Sequence, residues 1–253
     1  MSQTNNNFFT SLKDKEYVFF KECYKTCNGY CCNNFHADRF KFINKDNVIL
    51  PMIEHEFLAM QNSGGMDNVK DYKEKTFTLK CGKKFKVYFL ECGVKGLCSP
   101  HCNRPLICKI YPYFPLVNEN GDFLGVREVA MLDLFYKDDK NHPCTLVNTH
   151  KEQLLKEYEQ SIKELLKEPI MIFIFMLLEI LDKYLMNYFK GYYDEPFLDV
   201  LDENAKKDFF AKYETNALLF KAYRNNGFAD KVNDLYLRLE AKYGEKLSRY
   251  FKD

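Results

Sequence analysis

The sequence has no tryptophan, no long apolar run and almost no net charge. Its longest apolar run covers only residues 170–178, whereas a helix that spans a bilayer needs about 20 apolar residues. The 37 Lys and Arg residues nearly balance 36 Asp and Glu residues, and a net charge of +1 creates no field that would attract nucleic acid or anionic lipid. We therefore expect no nucleic-acid partner and no membrane partner.

The amino terminus lacks the features of a secretory signal peptide. Residues 1–10 are polar and rich in asparagine, with no basic stretch ahead of an apolar run. We therefore expect a cytoplasmic protein. In a reducing cytosol, clustered cysteines indicate metal ligands or catalytic thiols rather than a disulfide framework.

Common catalytic motifs are also missing. The sequence has no Gly-x-Gly-x-x-Gly after a predicted strand, no Walker sequence, no Gly-x-Ser-x-Gly and no His-Glu-x-x-His. The Cys-x-x-x-Cys-x-x-Cys spacing of radical S-adenosylmethionine enzymes is absent too. The usual sequence marks of nucleotide-binding, serine-hydrolase and metalloprotease sites are therefore not found.

Cysteine, by contrast, is abundant: the chain has ten, and four of them fall within residues 23–32. Thiolate is the ligand that zinc and iron–sulfur centres share. A loop with several cysteines fixes several ligands at once, and two such loops that close on one another would complete a tetrahedral or cluster site. The first loop has Cys23, Cys27, Cys31 and Cys32, the second has Cys92, Cys98, Cys102 and Cys108, and Cys144 follows alone.

The adjacent pair Cys31 and Cys32 bears on the kind of centre. Neighbouring side chains diverge, so two adjacent cysteines rarely bind one tetrahedral ion. The pair indicates two metals, a polynuclear centre, or one ligand beside one packed thiol. Gly29 interrupts any helix through the first loop, so we predict that this loop is half of a site and that the second loop supplies the other half.

The order of these cysteines resembles a known family. A vicinal pair after two spaced cysteines, followed by Cys-x-x-x-x-x-Arg-Pro-x-x-Cys-x-x-Tyr-Pro at residues 98–112, is similar to the zinc- or iron-chelating cysteine-cluster proteins (CxxCxxCC, or YkgJ-like), over about residues 20–145. The chain departs from that pattern at three points. The cysteines of its first loop are separated by three residues rather than two, Lys109 stands where arginine is usual, and Cys144 lacks the glycine that often follows. The resemblance implies that the metal ligands are Cys23, Cys27, Cys31, Cys32, Cys98 and Cys108, with Cys144 as a late ligand and Cys92 near the position of another.

A more distant resemblance links the chain to the flagellin lysine N-methylases, which carry a similar cysteine cluster ahead of a longer helical region. Residues 214–219 faintly match that helical region. The alternative that this implies is an S-adenosylmethionine-dependent protein lysine N-methylase with a metal centre and a protein substrate. Whether the chain is an enzyme, and whether its centre is structural, redox-active or catalytic, stays open in the sequence.

The remaining candidates have other interpretations. Cys102 is as well explained by packing as by metal binding, and Cys81 is predicted to pack on the inner face of a hairpin. Arg104 is predicted to bind backbone carbonyls around the second loop, with a hydrogen bond to the cluster as the alternative. His101 and His142 each lie near a cysteine and could replace a thiolate.

The fold prediction is an α-rich α+β protein. Alternating apolar residues predict one hairpin from strands 76–81 and 85–90 and another from strands 113–117 and 123–130. A helix is predicted from Leu12 to about Cys23, and Pro51 is predicted to begin a second. We expect a cysteine-rich metal-binding part, residues 1–148, and a helical part, residues 149–253, within one compact unit. Thr149 and Pro169 mark predicted helix starts in the second part.

The function predicted from the sequence is metal binding, with an iron–sulfur cluster slightly ahead of zinc. Eight or nine candidate thiolates exceed the four of one zinc site. They could serve two zinc ions, or a cluster with additional thiols.

Overall fold

The computed structural model describes residues 8–17, 25, 49–94, 98, 101–128, 144–189 and 202–253. Of these residues 57% are helical and 20% lie in strands, in two small antiparallel sheets. The prediction of an α-rich α+β fold is therefore confirmed. Across these ranges, no helix has both the length and the apolar composition to cross a membrane.

The first sheet has three strands in the order β1-β3-β2: β1 (Ile49–Ile53), β2 (Val69–Thr78) and β3 (Lys84–Cys92). The predicted first hairpin is confirmed as β2 and β3, and Phe77 lies opposite Phe85 with the two rings stacked 5.2 Å apart. The apolar residues predicted to face inward are all buried, namely Phe77, Leu79, Phe85, Val87 and Phe89.

Strand β1 was not predicted, and it corrects the interpretation of Pro51. This residue lies in β1 opposite Phe89, and helix α1 (Glu54–Asn62) begins three residues later. Proline cannot donate a ladder hydrogen bond, but an edge strand tolerates it. Tertiary pairing with β3 therefore decides the conformation. The helix was predicted to end before Asn62, and it extends one residue further, to Asn62 itself.

A second correction concerns the predicted helix that begins at Leu12. Residues 8–11 are helical, and residues 12–17 form turns and a bend. The Ser11 hydroxyl donates a hydrogen bond back to the Phe8 carbonyl at 2.7 Å, so it does not cap a helix that follows. The remainder of that predicted helix lies outside the described residues, apart from Lys25.

The second hairpin is confirmed as β4 (Tyr113–Val117) and β5 (Phe123–Glu128). The short helix α2 (Leu106–Ile110) precedes it and carries Cys108. In the turn, Gly121 has φ +79°, and a Cβ atom there would lie 3.0 Å from the carbonyl oxygen of Leu166. Glycine is therefore required at this position both by the backbone conformation and by the close approach.

The rest of the described chain is helical: α3 (Thr145–Thr149), α4 (Lys151–Leu165), α5 (Pro169–Tyr188), α6 (Glu203–Ala217), α7 (Asn226–Tyr243) and α8 (Glu245–Ser248). Pro169 occupies the first position of α5, as predicted. Thr149 does not cap α4 as predicted, because it ends α3 and its hydroxyl contacts the His150 ring nitrogen Nδ1 at 2.6 Å.

One hydrophobic core includes residues of both predicted parts of the chain. Helix α5 packs against β4 and α7, and its Phe173 ring contacts Phe85 of β3 at 6.1 Å between centroids. The Tyr158 hydroxyl of α4 donates to the Tyr113 carbonyl of β4 at 3.1 Å. The helical part therefore covers the inner faces of both hairpins.

Candidate metal centre

The cysteines predicted as ligands differ in how far the structure describes them. The four of the first loop, Cys23, Cys27, Cys31 and Cys32, lie outside the described residues. Of the others, Cys92 ends β3, Cys98 follows it, Cys108 lies in α2 and Cys144 precedes α3. The described part of the chain contains no group of three or more Cys, His, Asp or Glu side chains that could hold a metal ion.

The described cysteines occupy distinct environments. Cys92, Cys98, Cys102 and Cys108 are half-buried, and Cys144 is buried in the hydrophobic core with 6% exposure. Cys81 is exposed, which contradicts the prediction that it packs on the inner face of the first hairpin. Strand β2 ends at Thr78, three residues before the predicted strand end at 81, so Cys81 lies in the turn. The Cys81 N–H donates to Asn233 Oδ1 at 2.8 Å.

Helix α2 is positioned by the carboxyl group of Glu56. The Leu106 N–H, in the first turn of the helix, donates to Glu56 of α1 at 2.7 Å. Glu56 is half-buried, and burial of its carboxyl group raises its pKa to about 7, although this hydrogen bond and the charge of Lys109 act in the opposite direction. The contact joins the helix that carries Cys108 to α1.

Lys109, the residue after Cys108, is a buried cation with 2% exposure. Its ammonium group donates to the carbonyl oxygens of Leu12 at 2.9 Å, of Lys15 at 3.1 Å and of Lys13. Burial lowers the pKa of Lys109, and the charge of nearby Glu16 opposes that shift. An ammonium has three donors and no acceptor, so these three carbonyls match its capacity.

A second cation of the same motif makes a parallel contact. The Arg104 guanidinium forms an ion pair with the Glu16 carboxylate, so its partner is not the backbone carbonyls that we predicted. The Nε atom of Arg104 is buried and has no hydrogen-bond partner among the residues that the structure describes. Arg104 and Lys109 together hold residues 12–16 against the second cysteine motif.

This attachment limits where the first cysteine loop can lie. Cys23 follows Glu16 by only seven residues. A fully extended chain of that length reaches at most about 24 Å. This length sets an upper limit on the distance between Glu16 and Cys23, which lies outside the described residues.

Two cavities adjoin this region. A cavity of about 40 Å³ lies beside Cys102, Arg104 and Lys109. A larger cavity of about 130 Å³ lies between β1, α2 and α5, and its lining is almost wholly apolar. Glu56 contributes to the walls of both cavities.

The residues of the second loop are suited to thiolate ligation. A thiolate is the form that binds a metal, and the half-buried thiols of this loop are accessible to an ion. Lys109 and the thiol group of Cys102 interact electrostatically. The cationic charge of Lys109 would offset part of the negative charge of a thiolate cluster, and thiolate is a donor that both zinc and iron–sulfur centres accept.

Reasoning from the sequence did not identify Glu16 or Glu56 as part of this region, and it did not predict the anchoring role of Lys109. The sequence does contain signals for Glu56 and Lys109. Glu56 precedes the buried residues Ala59 and Met60 by three and four positions, a spacing that places it on the inward face of α1. Lys109 lies within the otherwise apolar helix α2. Nothing local to Glu16 indicated its ion pair with Arg104.

No family model, no curated protein and no solved structure matches this chain. The similarity to the cysteine-cluster family therefore stays a prediction based on the motifs.

Proposed function

We propose that the protein holds a metal centre through clustered thiolates, with an iron–sulfur cluster favoured over zinc. The observation that carries this proposal is the double anchorage of residues 12–16 by Lys109 and Arg104 of the second cysteine motif. It ties the chain just ahead of the first loop to the second loop. The proposed ligands are Cys23, Cys27, Cys31, Cys32, Cys92, Cys98, Cys108 and Cys144.

The environments of the described ligands support different roles within this set. Cys98 and Cys108 are half-buried in the second motif and are therefore accessible to an incoming ion. Cys144 is enclosed by the core, which suits a ligand on the closed side of a centre or a packed thiol. Cys102 stays outside the set, and its thiol contacts Asn103 Oδ1 at 3.8 Å.

The test is the metal content of protein purified without oxygen. We expect visible absorption together with iron and acid-labile sulfide. A colourless protein with two zinc ions and no sulfide would refute the iron–sulfur assignment. A chain that binds no metal even after anaerobic reconstitution would refute the proposal as a whole.

Serine variants identify the ligands. Cys98→Ser and Cys108→Ser should each lower the bound metal per chain by at least half, and Cys31→Ser should do the same for the first loop. Cys81→Ser is the matched control, because Cys81 is exposed in the turn between β2 and β3. Equal metal content in Cys81→Ser and Cys108→Ser would contradict the assignment of the second loop.

Methyl transfer from S-adenosylmethionine to a protein lysine remains the alternative that the second resemblance implies. That reaction requires a site for a nucleoside-sized donor, and pockets for ligands of that size occupy about 300–1,000 Å³. The cavities beside α2 measure about 130 and 40 Å³. Neither of these two cavities holds a donor of that size, and no observation on the described residues favours methyl transfer, so the proposal stays with metal binding.

A further inference from the structure

The larger cavity is lined mainly by apolar side chains and has no part in the proposed metal binding. Its volume is about 130 Å³, and its walls come from β1, β3, α2, α5 and the loop that contains Leu219. The polar groups at its edge are few and belong to residues 54–56, Lys86 and Tyr250. A space of this composition favours an apolar occupant over water, since a buried water needs two to four polar partners.

Aliphatic side chains around the cavity are incompletely covered by the protein. Ile174 and Leu178 are four residues apart on the same face of α5, and both are half-buried, whereas Phe173, Phe175 and Leu177 are buried. Ile53, Ile107 and Leu219 also line the cavity and are half-buried. Five aliphatic side chains from four parts of the fold therefore retain apolar surface that a ligand would remove from water.

One of these residues has an unusual backbone conformation. Leu219 has φ +66°, and no other non-glycine residue in the described ranges has a positive φ. Two backbone hydrogen bonds hold it there, from its own N–H to Asn216 at 2.9 Å and from Tyr223 to its carbonyl at 3.0 Å. Branched residues avoid this conformation unless the surroundings impose it, and such strain concentrates at ligand sites.

We propose that this cavity binds a small apolar molecule, of the size of one aromatic ring or a branched alkyl group of about six carbons. An apolar cavity of about 150 Å³ in another protein binds benzene, and the present cavity of about 130 Å³ is only slightly smaller. The ligand would contact Ile174, Leu178 and Leu219. A ligand with one polar end would direct that end toward the ion pair of Glu54 and Lys86, whose charged atoms are 3.5 Å apart. This site does not depend on the proposed metal centre.

Benzene is the probe for the test, with the full chain labelled at the isoleucine and leucine methyl groups. We expect saturable chemical-shift changes at the methyls of Ile174, Leu178 and Leu219, with a dissociation constant on the order of 1 mM. The midpoint of thermal unfolding should rise by about 2 °C or more at saturation, because the ligand binds only the folded state. An absence of saturable shifts at these methyls would overturn the proposal.

Variants that fill the cavity test whether benzene binds at this site. Ile174→Phe should weaken benzene binding at least tenfold, and Leu178→Phe should do the same if the first variant does not fold. Met186→Phe makes a similar enlargement on the exposed face of α5, where Met186 is 49% exposed, and should bind benzene as the wild type does. Equal binding by the folded filled variant and by Met186→Phe would place benzene elsewhere and overturn the proposal.

Discussion

The ammonium group of Lys109 lies 2.9 Å from the carbonyl oxygen of Leu12, a residue 97 positions earlier in the chain. Lys109 thus links the amino-terminal segment to the helix that carries Cys108. A compact ammonium can serve three carbonyls that converge on one point, whereas the planar guanidinium of arginine requires them to be spread across a plane. The lysine found here, in place of the arginine usual in the similar family, therefore suits this particular turn.

Replacing Lys109 with methionine should lower the free energy of unfolding by about 3 kcal/mol. The change removes three charge-assisted hydrogen bonds and leaves the carbonyls of Leu12, Lys13 and Lys15 without their donor. Urea denaturation followed by circular dichroism measures the loss. Under the proposed function, the same variant should also bind less metal, although it retains every thiol.

The control for this variant is Lys163→Met. Lys163 is exposed and pairs with Glu159 one turn away on α4, so its loss should change the free energy of unfolding by about 0.5 kcal/mol or less. Similar losses in the two variants would show that the buried ammonium of Lys109 does not stabilise the fold.

Glu56 should make stability depend on pH. Burial raises its pKa in the folded protein to about 7 from an ordinary value of 4.5. Between these pH values the folded state keeps a proton that the unfolded state releases, so the stability contributed by Glu56 is complete below about pH 4.5 and is lost as pH rises through about 7. The loss is on the order of 3 kcal/mol.

Glu56→Gln isolates this effect, because glutamine can still accept the Leu106 hydrogen bond but does not ionise. The stability of the variant relative to the wild type should increase by roughly 2 kcal/mol between about pH 5 and pH 8. Glu152→Gln, at an exposed site on α4, is the control and should show a difference that does not vary with pH. A constant difference for Glu56→Gln as well would contradict the raised pKa.

Breaking the ion pair between Arg127 of β5 and Asp182 of α5 should destabilise the folded protein. Asp182 is buried, its Oδ1 atom has no hydrogen-bond partner within the described ranges, and burial raises its pKa while Arg127 opposes the shift. Arg127→Met should therefore lower the free energy of unfolding by about 3 kcal/mol, because it leaves the carboxylate uncompensated.

The double variant Arg127→Met with Asp182→Leu should recover to within about 1 kcal/mol of the wild type, since apolar packing replaces the whole pair. Chemical denaturation of the single and double variants gives both values. A double variant less stable than Arg127→Met alone would show that the pair contributes net stability. Lys183→Met, which removes a surface pair on the same helix, should cost less than about 1 kcal/mol.

Alanine substitutions at two hairpin glycines distinguish the effect of backbone strain on stability from the effect of steric crowding. Gly82 and Gly121 both have positive φ, but a Cβ atom at Gly82 meets nothing within 4 Å, whereas one at Gly121 meets Ile172 at 2.9 Å and the Leu166 carbonyl at 3.0 Å. Gly82→Ala should lower the free energy of unfolding by about 1 kcal/mol. Gly121→Ala should lower it by a further 1–2 kcal/mol, roughly, since the turn must move away from α5. Thermal denaturation measures both effects. Equal decreases in stability for Gly82→Ala and Gly121→Ala would contradict the close approach of Gly121 to Ile172 and Leu166.

Much of the fold could be predicted because its signals are local. The alternation around residues 76–90 and 113–128 determines which side chains face the core, and the structure has both hairpins. Pro169 marks the start of α5 because proline is compatible with the first turn of a helix. These features depend on neighbours in sequence and need no knowledge of the tertiary contacts.

Other features depend on partners far along the chain. Strand β1 forms because Pro51 and its neighbours pair with β3, about forty residues later, and the sequence around Pro51 equally suits a helix start. The contacts of Lys109 join it to residues 12–15, and no periodicity in the sequence encodes such a pair. The candidate ligands were identified from cysteine spacing alone, whereas the charged residues that position the second loop were not.

The cavity between β1, α2 and α5 also determines how the molecule should respond to hydrostatic pressure. Unfolding eliminates space that the apolar side chains leave unfilled, and the part of this cavity that water does not fill, at most about 130 Å³ or about 80 mL/mol, contributes to the volume that is lost. Compression should therefore unfold this protein more readily than a tightly packed chain of the same length. Filling the space at Ile174 should make its folded state more resistant to compression.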